Sequence, residues 1–365
     1  MTTLSSLSIF FPAYNEELNI EETIHQAVTA AKLVTDTYEI IIVNDASKDK
    51  TAEVVQNLKS TYGDNLILIS HEANKGYGGA LITGFTNAKH DYIFFSDADL
   101  QFDLQELTLL TPHTATHDVV IGYRHDRQDS KMRLLNAKGW NILNRILFGL
   151  RVIDIDCAFK LFKRDTIKDI KITSQGAMIS AEVLIALTQR GVDIKEVPVT
   201  HLPRTQGNAT GANIKVIMRA LKEVFNLFVG DLGKQVKRQF FTFALIGVFN
   251  TIVDVAAYVF LTRINPTFAS HYVLVKASTY LLGTVSGFIL NSMFTFKQRK
   301  VGVQEMAKFY TVTIASLLVN VSLTYVFTSI FGIYDIASVI LATGLCFVFT
   351  FIFLKTWVFI AKKTR

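Results

Sequence analysis

Two carboxylates, Asp97 and Asp99, stand one residue apart directly after the apolar run Tyr92–Ser96, and the amide of Gln101 follows two residues later. Carboxylate and amide oxygens are hard ligands that suit Mg²⁺ or Mn²⁺, and such ions keep several waters and bridge to phosphate oxygens. An acidic pair in a surface turn is common, but this pair follows a run that reads as a buried strand. The spacing therefore predicts a divalent-metal site at Asp97, Asp99 and Gln101.

A glycine-rich segment, Asn74–Ala80, is a second candidate for phosphate chemistry. Backbone N–H groups in such a segment are free to approach an anion. The segment lacks the Lys-Ser/Thr ending of a P-loop, and a helix start that needs glycine is the alternative. Asp45 also has two interpretations: it reads a base or ribose edge, or it caps the helix that begins at Thr51, a task for which Asp49 is better placed.

Alternating apolar strands and helix-like stretches position these residues. The predicted strands are Leu7–Phe11, Glu39–Asn44, Leu66–Ser70, Tyr92–Ser96 and Val119–Tyr123, and the predicted helices are Glu17–Leu33, Thr51–Ser60 and Gly78–Ala88. This order predicts an α/β domain with a largely parallel sheet, in which ligands bind at the carboxyl ends of the strands. Polar clusters fall at those ends: residues 12–17, 44–49, 74–79, 97–101 and 122–124. We expect them to form one site.

Composition divides the chain of 365 residues, which is 50% hydrophobic and 19% charged with a mean hydropathy of +0.32. Residues 1–230 hold 24 Lys and Arg against 27 Asp and Glu, a net charge of −3, whereas residues 231–365 hold 13 against 4, a net charge of +9. The basic excess belongs to the apolar part, so it does not indicate a nucleic-acid partner. Cys157 and Cys346 cannot make a disulfide framework, and the N-terminus shows no secretory signal.

Four apolar stretches are long enough to cross a hydrocarbon core, which needs about 20 residues. They are Phe240–Leu261, Tyr272–Phe296, Phe309–Phe331 and Ile336–Ile360. Ten positive charges flank one side of these spans, and Arg263 alone lies on the other. This asymmetry predicts an integral membrane protein with the domain at residues 1–230 and both termini in the cytoplasm. The spans also carry Asp254 and Lys276, which we interpret as a structural ion pair, with lipid head-group handling as the alternative.

Two amphipathic stretches are expected to lie at the membrane surface. Residues 214–228 place apolar side chains at helical spacing opposite Lys215, Arg219 and Lys222, and residues 131–151 show a similar pattern around Trp140. An interfacial helix has this pattern. For both stretches, packing against the protein's own core is the alternative.

The polar clusters together resemble a known family. The segments PAYNEE, VNDASKDKT, NKGYGGAL, SDADLQFD and GYR, in this order, are similar to the glycosyltransferase family 2 domain of the Rossmann-like GT-A fold. More narrowly, they resemble the polyprenyl-phosphate (dolichol-phosphate) hexose synthases. Residues 154–160 match the D-x-x-C-G-F-K segment of that group with Ala158 in place of glycine. The last part resembles the GtrA-like membrane domain, at NSMFTF and KTWVF.

The resemblance implies roles for individual residues. The nucleotide of a sugar donor would be held by Pro12, Ala13, Tyr14, Glu16, Asn44, Asp45, Lys75, Gly76, Asp97 and Ala98. Asp97 would contact the ribose–diphosphate region, while Asp99 and Gln101 would ligate Mg²⁺ or Mn²⁺. Arg124, Arg133 and Arg204 would bind the acceptor phosphate, with Arg127 and Arg145 as rivals of Arg133. The family implies inversion at the anomeric carbon.

The chemistry agrees with this set of residues. A lipid monophosphate is mostly dianionic at pH 7 and is already a nucleophile, so no catalytic triad is needed. The difficulties are repulsion between anions and a poor diphosphate leaving group, which arginines and a metal ion answer. We therefore expect transfer of one hexose from a UDP- or GDP-linked donor to an undecaprenyl or dolichyl phosphate, for cell-surface glycosylation.

Other functions account for fewer features. The membrane part could also be a flippase for the product, although four spans are few for a transporter. A processive glycan synthase is disfavoured because no Q-x-x-R-W-like motif follows Glu182. A nucleotidyltransferase leaves the arginines and the membrane part unexplained.

The expected division is a glycosyltransferase domain at 1–210, an interfacial helix and linker at 211–239, and a four-helix transmembrane domain at 240–365. Membrane lipids would surround that domain. Because so small an anchor would gain buried surface by association, a homo-oligomer is a further expectation.

Overall fold

The computed structural model describes residues 3–125, 131–174, 176, 178–203, 214–230, 233–264, 267–268, 271–298 and 302–359. The chain divides into two compact units, Met1–Leu232 and Gly233–Arg365. The division falls where the net charge of the sequence changes sign.

Seven strands form one sheet in the first unit: β1 Leu7–Ala13, β2 Tyr38–Asn44, β3 Leu66–Ser70, β4 Tyr92–Ser96, β5 Val119–His125, β6 Phe159–Lys163 and β7 Ile194–Thr200. Their order across the sheet is β3-β2-β1-β4-β6-β5-β7. Neighbours among β1 to β4 pair in parallel, as do β5 and β7, whereas β6 runs antiparallel to β4 and β5. The predicted, largely parallel sheet and its five predicted strands are confirmed.

The strands β6 and β7 are absent from the sequence prediction. The short strand β6 carries Lys160 and Lys163 among apolar residues, so its sequence does not show the apolar run of a buried strand. The strand β7 contains Pro198 and lies at the edge of the sheet. Proline is tolerated at an edge because the missing N–H is not needed for a second ladder.

The α-helices in the described part of the first unit are α1 Ile20–Val34, α2 Thr51–Tyr62, α3 Gly76–Asn87, α4 Leu107–Leu110, α5 Lys131–Phe148, α6 Arg164–Ile167, α7 Ile179–Gln189 and α8 Ile214–Val229. The three predicted helices are confirmed. Helix α1 begins at Ile20 rather than at Glu17 because Glu17 is held in the preceding loop. Its N–H donates to Asp49 Oδ2 (3.0 Å), and its carboxylate accepts from the Lys50 N–H (2.8 Å).

A phenylalanine cluster joins helix α3 to the sheet. The Phe10 and Phe95 rings stack at 5.4 Å, and Phe85 of α3 meets Phe10 edge-on at 5.0 Å. A Cβ atom at Gly84 would lie 2.2 Å from Phe10 Cδ2, so only glycine permits this approach. Burial of Phe10 contributes roughly 1.5–3 kcal/mol. This packing places the start of α3, and thus the glycine-rich segment, at the carboxyl ends of the strands.

The long helices in the described part of the second unit are α9 Lys234–Ile264, α10 Tyr272–Leu290, α11 Val303–Tyr325 and α12 Asp335–Phe353. Short π-helical segments continue the last three, at Asn291–Thr295, Val326–Ile330 and Leu354–Val358. Among the residues that the structure describes, three helical stretches are long and apolar enough to cross a membrane: Lys234–Ile264, Val303–Ile330 and Ile336–Val358. The predicted span Tyr272–Phe296 is helical over α10, and its membrane crossing stays a prediction. The Lys276 side chain lies outside the described residues, so its pairing with Asp254 also stays a prediction.

Polar side chains link the helices of the second unit in pairs. Ser286 of α10 donates to Asn250 Oδ1 of α9 (2.6 Å). Thr350 of α12 donates to Ser316 of α11 (2.8 Å). Such bonds between apolar helices each stabilise a membrane bundle by about 0.6 kcal/mol on average. They account for polar residues within otherwise apolar stretches.

Both predicted amphipathic helices are present, and each packs partly on the first unit. On α8, Val224 and Leu227 are buried in the core of that unit, whereas Phe225 is 63% exposed. On α5, Trp140 packs against the core, whereas Ile142 is 48% exposed. Packing on the core therefore accounts for one side of each helix, and an exposed apolar side chain remains on another.

Candidate active site

The loops that follow β1 and β2 are locked together. The Asn15 N–H donates to Ser47 Oγ (3.0 Å), and the Lys48 N–H donates to Asn15 Oδ1 (2.8 Å). Asn15 adopts a left-handed φ of 58°, which asparagine tolerates better than most residues. The neighbouring Tyr14 side chain is exposed, and Glu16 accepts from Asn19 Nδ2 (2.8 Å). The predicted nucleotide-binding loop is thus held in one conformation at the carboxyl end of β1, where Pro12 and Ala13 end that strand.

Asp45, directly after β2, lies at the centre of a buried hydrogen-bond network. Its Oδ1 accepts from the Lys75 N–H (2.8 Å) and from His71 Nδ1 (2.6 Å), and its Oδ2 accepts from the Gly76 N–H (2.8 Å). The Asp45 carboxylate therefore holds the start of α3. At the start of α2, Asp49 Oδ1 rather than Asp45 accepts from the Thr51 N–H (3.0 Å).

The glycine-rich segment uses its amides within the protein. The N–H groups of Lys75 and Gly76 are directed at Asp45, which favours the helix-start interpretation for these two groups. Gly76 has φ of 78°, a conformation that glycine adopts without strain. Asn44 is also occupied locally, since its Oδ1 accepts from the Ser47 N–H (3.1 Å). Phosphate or nucleotide contacts by these residues stay predictions.

The acidic pair lies at the carboxyl end of β4, as the sequence predicts. Burial and the nearby charge of Asp99 raise the pKa of Asp97 to about 7. The Tyr77 hydroxyl of α3 donates to Asp97 Oδ1 (3.1 Å), and burial together with Asp97 raises the pKa of Tyr77. Two carboxylates that disfavour each other's charge are a ready site for a cation.

The segment after β4 turns sharply between the two predicted metal ligands Asp99 and Gln101. Leu100 adopts φ of 58°, and Asp99 Oδ1 accepts from the Gln101 N–H (3.2 Å). Gln101 Nε2 donates to the Leu202 carbonyl (3.2 Å). These bonds tie the acidic segment to the chain that follows β7. Ala98 is buried, and its carbonyl accepts from the Thr23 hydroxyl (3.2 Å).

The donor set of Asp97 and Asp99 fits a divalent metal that the substrate completes. Over the described ranges, no group of three His, Cys, Asp or Glu residues is placed to hold a metal ion. Mg²⁺ is typically bound by one or two carboxylates together with substrate phosphates rather than by an all-protein cage. Two neighbouring carboxylates are the kind of donor set that fits such an ion, and a metal held by Asp97 and Asp99 stays a prediction.

Arg124, at the end of β5, forms a bidentate ion pair with Asp154. Nε lies 2.7 Å from Oδ2 and Nη2 lies 2.8 Å from Oδ1, with both side chains largely buried. Burial by itself lowers the pKa of Arg124, but the hydrogen bonds and charge of Asp154 raise it above its ordinary value. The predicted phosphate-binding role of Arg124 thus concerns a guanidinium that Asp154 already orients.

Lys160 ends the family segment at 154–160, but the sequence analysis assigns it no role. Its side chain is 1% exposed, and its ammonium donates to the carbonyls of Ile155 (3.1 Å) and Cys157. Nζ also stands 5.4 Å from the centre of the Phe95 ring on β4. Burial lowers the pKa of Lys160, and its charge in turn opposes the rise in the pKa of Asp97. One buried cation therefore supports both the 155–157 loop and the acidic pair.

The side chains of the other two predicted arginines are not among those that the structure describes. Arg204 lies outside the described residues. Arg133 belongs to α5, but its side chain lies outside the described part of that helix. Their acceptor-phosphate roles stay predictions.

A cleft of about 500 Å³ lies along α5. Its walls include apolar side chains and three cations, and the lining residues are Leu134, Ala137, Lys138, Asn141, Ile142, Arg145, Leu150, Arg151, Val152, Ile153 and Glu196. Glu196 Oε1 accepts from the Ile153 N–H (2.5 Å), which holds one wall of the cleft. The lining combines positive charge with apolar surface, which suits an amphiphilic anion.

Two family models match the chain in succession. Residues 8–171 match glycosyl transferase family 2, and residues 242–359 match the GtrA/DPMS transmembrane domain. The chain joins a family 2 glycosyltransferase domain to a GtrA-type membrane domain. The glycosyltransferase domain has the Rossmann-like α/β architecture expected of the GT-A fold.

Relatives of this glycosyltransferase domain are named as transferases of sugars to a lipid phosphate. An undecaprenyl-phosphate 4-deoxy-4-formamido-L-arabinose transferase of Edwardsiella ictaluri is 27% identical over 59% of this chain and 66% of its own length. One from Pseudomonas fluorescens SBW25 is 28% identical over 58% of this chain and 61% of its own length. The chain thus spans less than two thirds of the length of these relatives.

Solved structures also resemble the glycosyltransferase domain. Glucosyl-3-phosphoglycerate synthase from Mycobacterium tuberculosis, in complex with Mn²⁺, UDP and glucosyl-3-phosphoglycerate, aligns with a TM-score of 0.48 and 18% identity, covering 62% of this chain and 79% of that one. The same enzyme with Mg²⁺ and UDP aligns with a TM-score of 0.47 and 18% identity, covering 60% of this chain and 79% of that one.

Ala158 departs from the glycine of the family segment without backbone strain. Left-handed φ values among the described non-glycine residues occur at Asn15, Ala46, Leu100 and Lys297, and Ala158 is not among them. The residue is buried next to Phe159 at the start of β6. The glycosyltransferase domain therefore accommodates alanine here.

Proposed function

We propose that the protein transfers one hexose from a nucleotide sugar to a polyprenyl phosphate. The observation that carries this proposal is the pair Asp97 and Asp99 at the carboxyl end of β4, with Asp97 raised to a pKa of about 7 by burial and by its neighbour. The names of the relatives support a lipid-phosphate acceptor. The product would be a polyprenyl-phosphate hexose for cell-surface glycosylation.

The reaction is a single displacement. A phosphate oxygen of the lipid attacks the anomeric carbon, the bond from that carbon to the diphosphate oxygen breaks, and the electron pair leaves with the nucleoside diphosphate. The anomeric configuration is therefore inverted. The acceptor needs no general base, because a phosphate monoester is mostly dianionic at pH 7.

The acidic pair serves the donor diphosphate. Asp97 and Asp99, with Gln101 as the third predicted ligand, would hold Mg²⁺ or Mn²⁺, which when bound stabilises the negative charge that develops on the leaving diphosphate. The hydroxyl of Tyr77 holds Asp97 in place, and the turn at Leu100 fixes Asp99. Arg124, fixed by Asp154, would donate hydrogen bonds from the rest of its guanidinium to the acceptor phosphate.

The cleft along α5 suits the acceptor. Lys138, Arg145 and Arg151 line it together with Leu134 and the exposed Ile142. Arginine binds phosphate through paired N–H groups, and apolar walls accept the first isoprene units of the lipid. The same exposed apolar side chains would rest at the membrane surface, where such an acceptor resides.

The membrane domain would cross the bilayer four times, with α10 as the remaining span and both termini in the cytoplasm. Lys234, Lys237 and Arg238 at the start of α9, and Lys308 near the start of α11, lie on the side that the positive-inside rule assigns to the cytoplasm. This arrangement would bring the lipid acceptor and a cytoplasmic nucleotide sugar to the same membrane face.

The decisive test uses the full chain in nanodiscs with Mn²⁺ or Mg²⁺. A panel of radiolabelled UDP- and GDP-sugars is incubated with a short polyprenyl phosphate, and the lipid phase is extracted. We expect one donor to give a labelled lipid that mild acid cleaves. Label that appears only in a water-soluble product, or only in a long polymer, would overturn the proposal.

A further inference from the structure

The hydrogen-bond capacity of Asp45 bears on the choice of nucleotide. Its side chain is 5% exposed, and that of His71 is 4% exposed. His71 Nδ1 must donate to Asp45, because a carboxylate only accepts, and its Nε2 lies 2.8 Å from the Thr83 hydroxyl of α3. The imidazole is therefore held from both sides and cannot turn away from Asp45.

An ionised carboxylate offers about four acceptor positions, two on each oxygen. Among the described residues, Oδ1 accepts from Lys75 N–H and His71, and Oδ2 accepts from Gly76 N–H. Oδ1 is thus filled, and one position on Oδ2 is left. A ligand can therefore donate a single hydrogen bond to Asp45.

The two nucleobases that the sequence leaves open differ in this respect. Guanine presents a ring N–H and an amino N–H side by side, and this edge pairs with a carboxylate that has one open position on each oxygen. Uracil presents one ring N–H between two carbonyl groups. With Oδ1 filled, guanine would bury one N–H without an acceptor, and an unsatisfied buried donor is costly.

We propose that His71 is a specificity-determining positioning residue that makes the site select a uridine rather than a guanosine diphosphate sugar. This inference rests on the proposed function, in which Asp45 contacts the base of the donor. His71 acts through Asp45: by filling Oδ1, it leaves the carboxylate suited to the single N–H of uracil.

Substitutions of His71 separate this role from a structural one. In His71→Asn, the side-chain amide nitrogen can take the place of Nδ1 and keep Oδ1 filled. In His71→Leu, the shape of the side chain is roughly kept but the donor is lost, so Oδ1 regains an open position. Loss of fold would affect both variants and both nucleotides alike, whereas a role in selection alters the ratio between nucleotides.

The test is isothermal titration of the full-length protein in nanodiscs with UDP and with GDP, in the presence of Mg²⁺. We expect wild type to bind UDP about 10- to 100-fold more tightly than GDP, the range that an unpaired buried donor implies. His71→Asn should keep that ratio, and His71→Leu should bring it to within a few-fold of one. Equal binding of both nucleotides by wild type, or an unchanged ratio in a folded His71→Leu protein, would overturn the inference.

A parallel transfer assay with UDP- and GDP-sugars distinguishes failure of the base selection from failure of the proposed function. Lipid-linked product from both donor types would sink the inference about His71 and leave the proposed function standing. Absence of lipid-linked product from every donor, despite tight UDP binding, would sink the proposed function and leave the base selection intact.

Discussion

Arg124 and Asp154 form the best-aligned ion pair of the described site, with paired N–O distances of 2.7 and 2.8 Å. Both side chains are largely buried, so water solvates neither charge well. Each side chain instead neutralises the charge of the other. Removing one partner of such a pair leaves an uncompensated charge, which typically costs about 3–5 kcal/mol. The pair therefore stabilises the fold and also orients Arg124, the residue predicted to bind the acceptor phosphate.

Asp154→Ala is expected to lower the unfolding temperature and to abolish transfer, because Arg124 would keep its charge without a partner. Differential scanning fluorimetry and the lipid-transfer assay measure the two effects. Asp165→Ala is the matched control, since its partner Lys168 forms an exposed ion pair, and it should change neither quantity. A fully stable Asp154→Ala protein would contradict the buried-pair argument.

Asp99→Ala should abolish transfer while the protein stays folded and in the membrane. Loss of one electrostatic contact to the leaving group typically costs about 10²–10³ in rate, and the paired Asp97 would remain as the sole carboxylate. EDTA should likewise stop the wild-type reaction, and added Mn²⁺ should restore it. Asp64→Ala, at an exposed position after α2, should behave as wild type. Turnover of Asp99→Ala at the wild-type rate with metal present would exclude the metal role.

Gly84→Ala should destabilise the glycosyltransferase domain by about 1–3 kcal/mol, the usual cost of overpacking a core. The new Cβ would meet the Phe10 ring at 2.2 Å. Gly139→Ala is the opposite case within α5, because nothing lies within 4 Å of its Cβ position and alanine is the better helix former by about 1 kcal/mol. Thermal unfolding of the two variants should therefore shift in opposite directions, and a common shift would contradict the packing described for α3.

The positions of the acidic pair and of the loop after β1 could be predicted from sequence because a parallel sheet brings the ends of its strands together. Asp97 follows a strand whose apolar pattern is plain, and the same pattern locates Asp45. The partners of these residues could not be predicted in this way. His71 follows β3 as one polar residue among several, and its contact with Asp45 depends on how β2, β3 and α3 pack.

The buried position of Lys160 could not be predicted for a related reason. It lies within an apolar strand, and a lysine there reads as an exposed residue of an edge strand until the antiparallel neighbours β4 and β5 are known. Arg124 illustrates the converse, since its place at the end of β5 was predictable but its pairing with Asp154 was not. Strand ends follow from local pattern, whereas hydrogen-bond partners follow from tertiary packing.

Lys160→Met is expected to loosen the 155–157 loop and to reduce transfer at least 10-fold. The carbonyls of Ile155 and Cys157 would lose their buried donor, and an unsatisfied buried group costs about 1–3 kcal/mol. Limited proteolysis within this loop and the transfer assay are the measurements. Lys163→Met on the same strand removes a half-exposed lysine and should leave both unchanged. A proteolysis-resistant, fully active Lys160→Met protein would show that the ammonium only fills space.

The α5 cleft yields a prediction that concerns the acceptor alone. Arg145→Gln removes one cation from the lining and keeps much of the side-chain length, so the acceptor phosphate should lose one charge-assisted contact. Such contacts contribute about 1.5–3 kcal/mol, which corresponds to a rise of about 10- to 100-fold in the KM for polyprenyl phosphate. The KM for the nucleotide sugar should not change, because the donor is assigned to the loops after β1, β2 and β4. Lys32→Gln, an exposed lysine of α1 outside the cleft lining, controls for the general loss of positive charge. A rise in the KM for the nucleotide sugar instead would indicate that the cleft binds the donor. The proposed sites of the donor and the acceptor would then both be wrong.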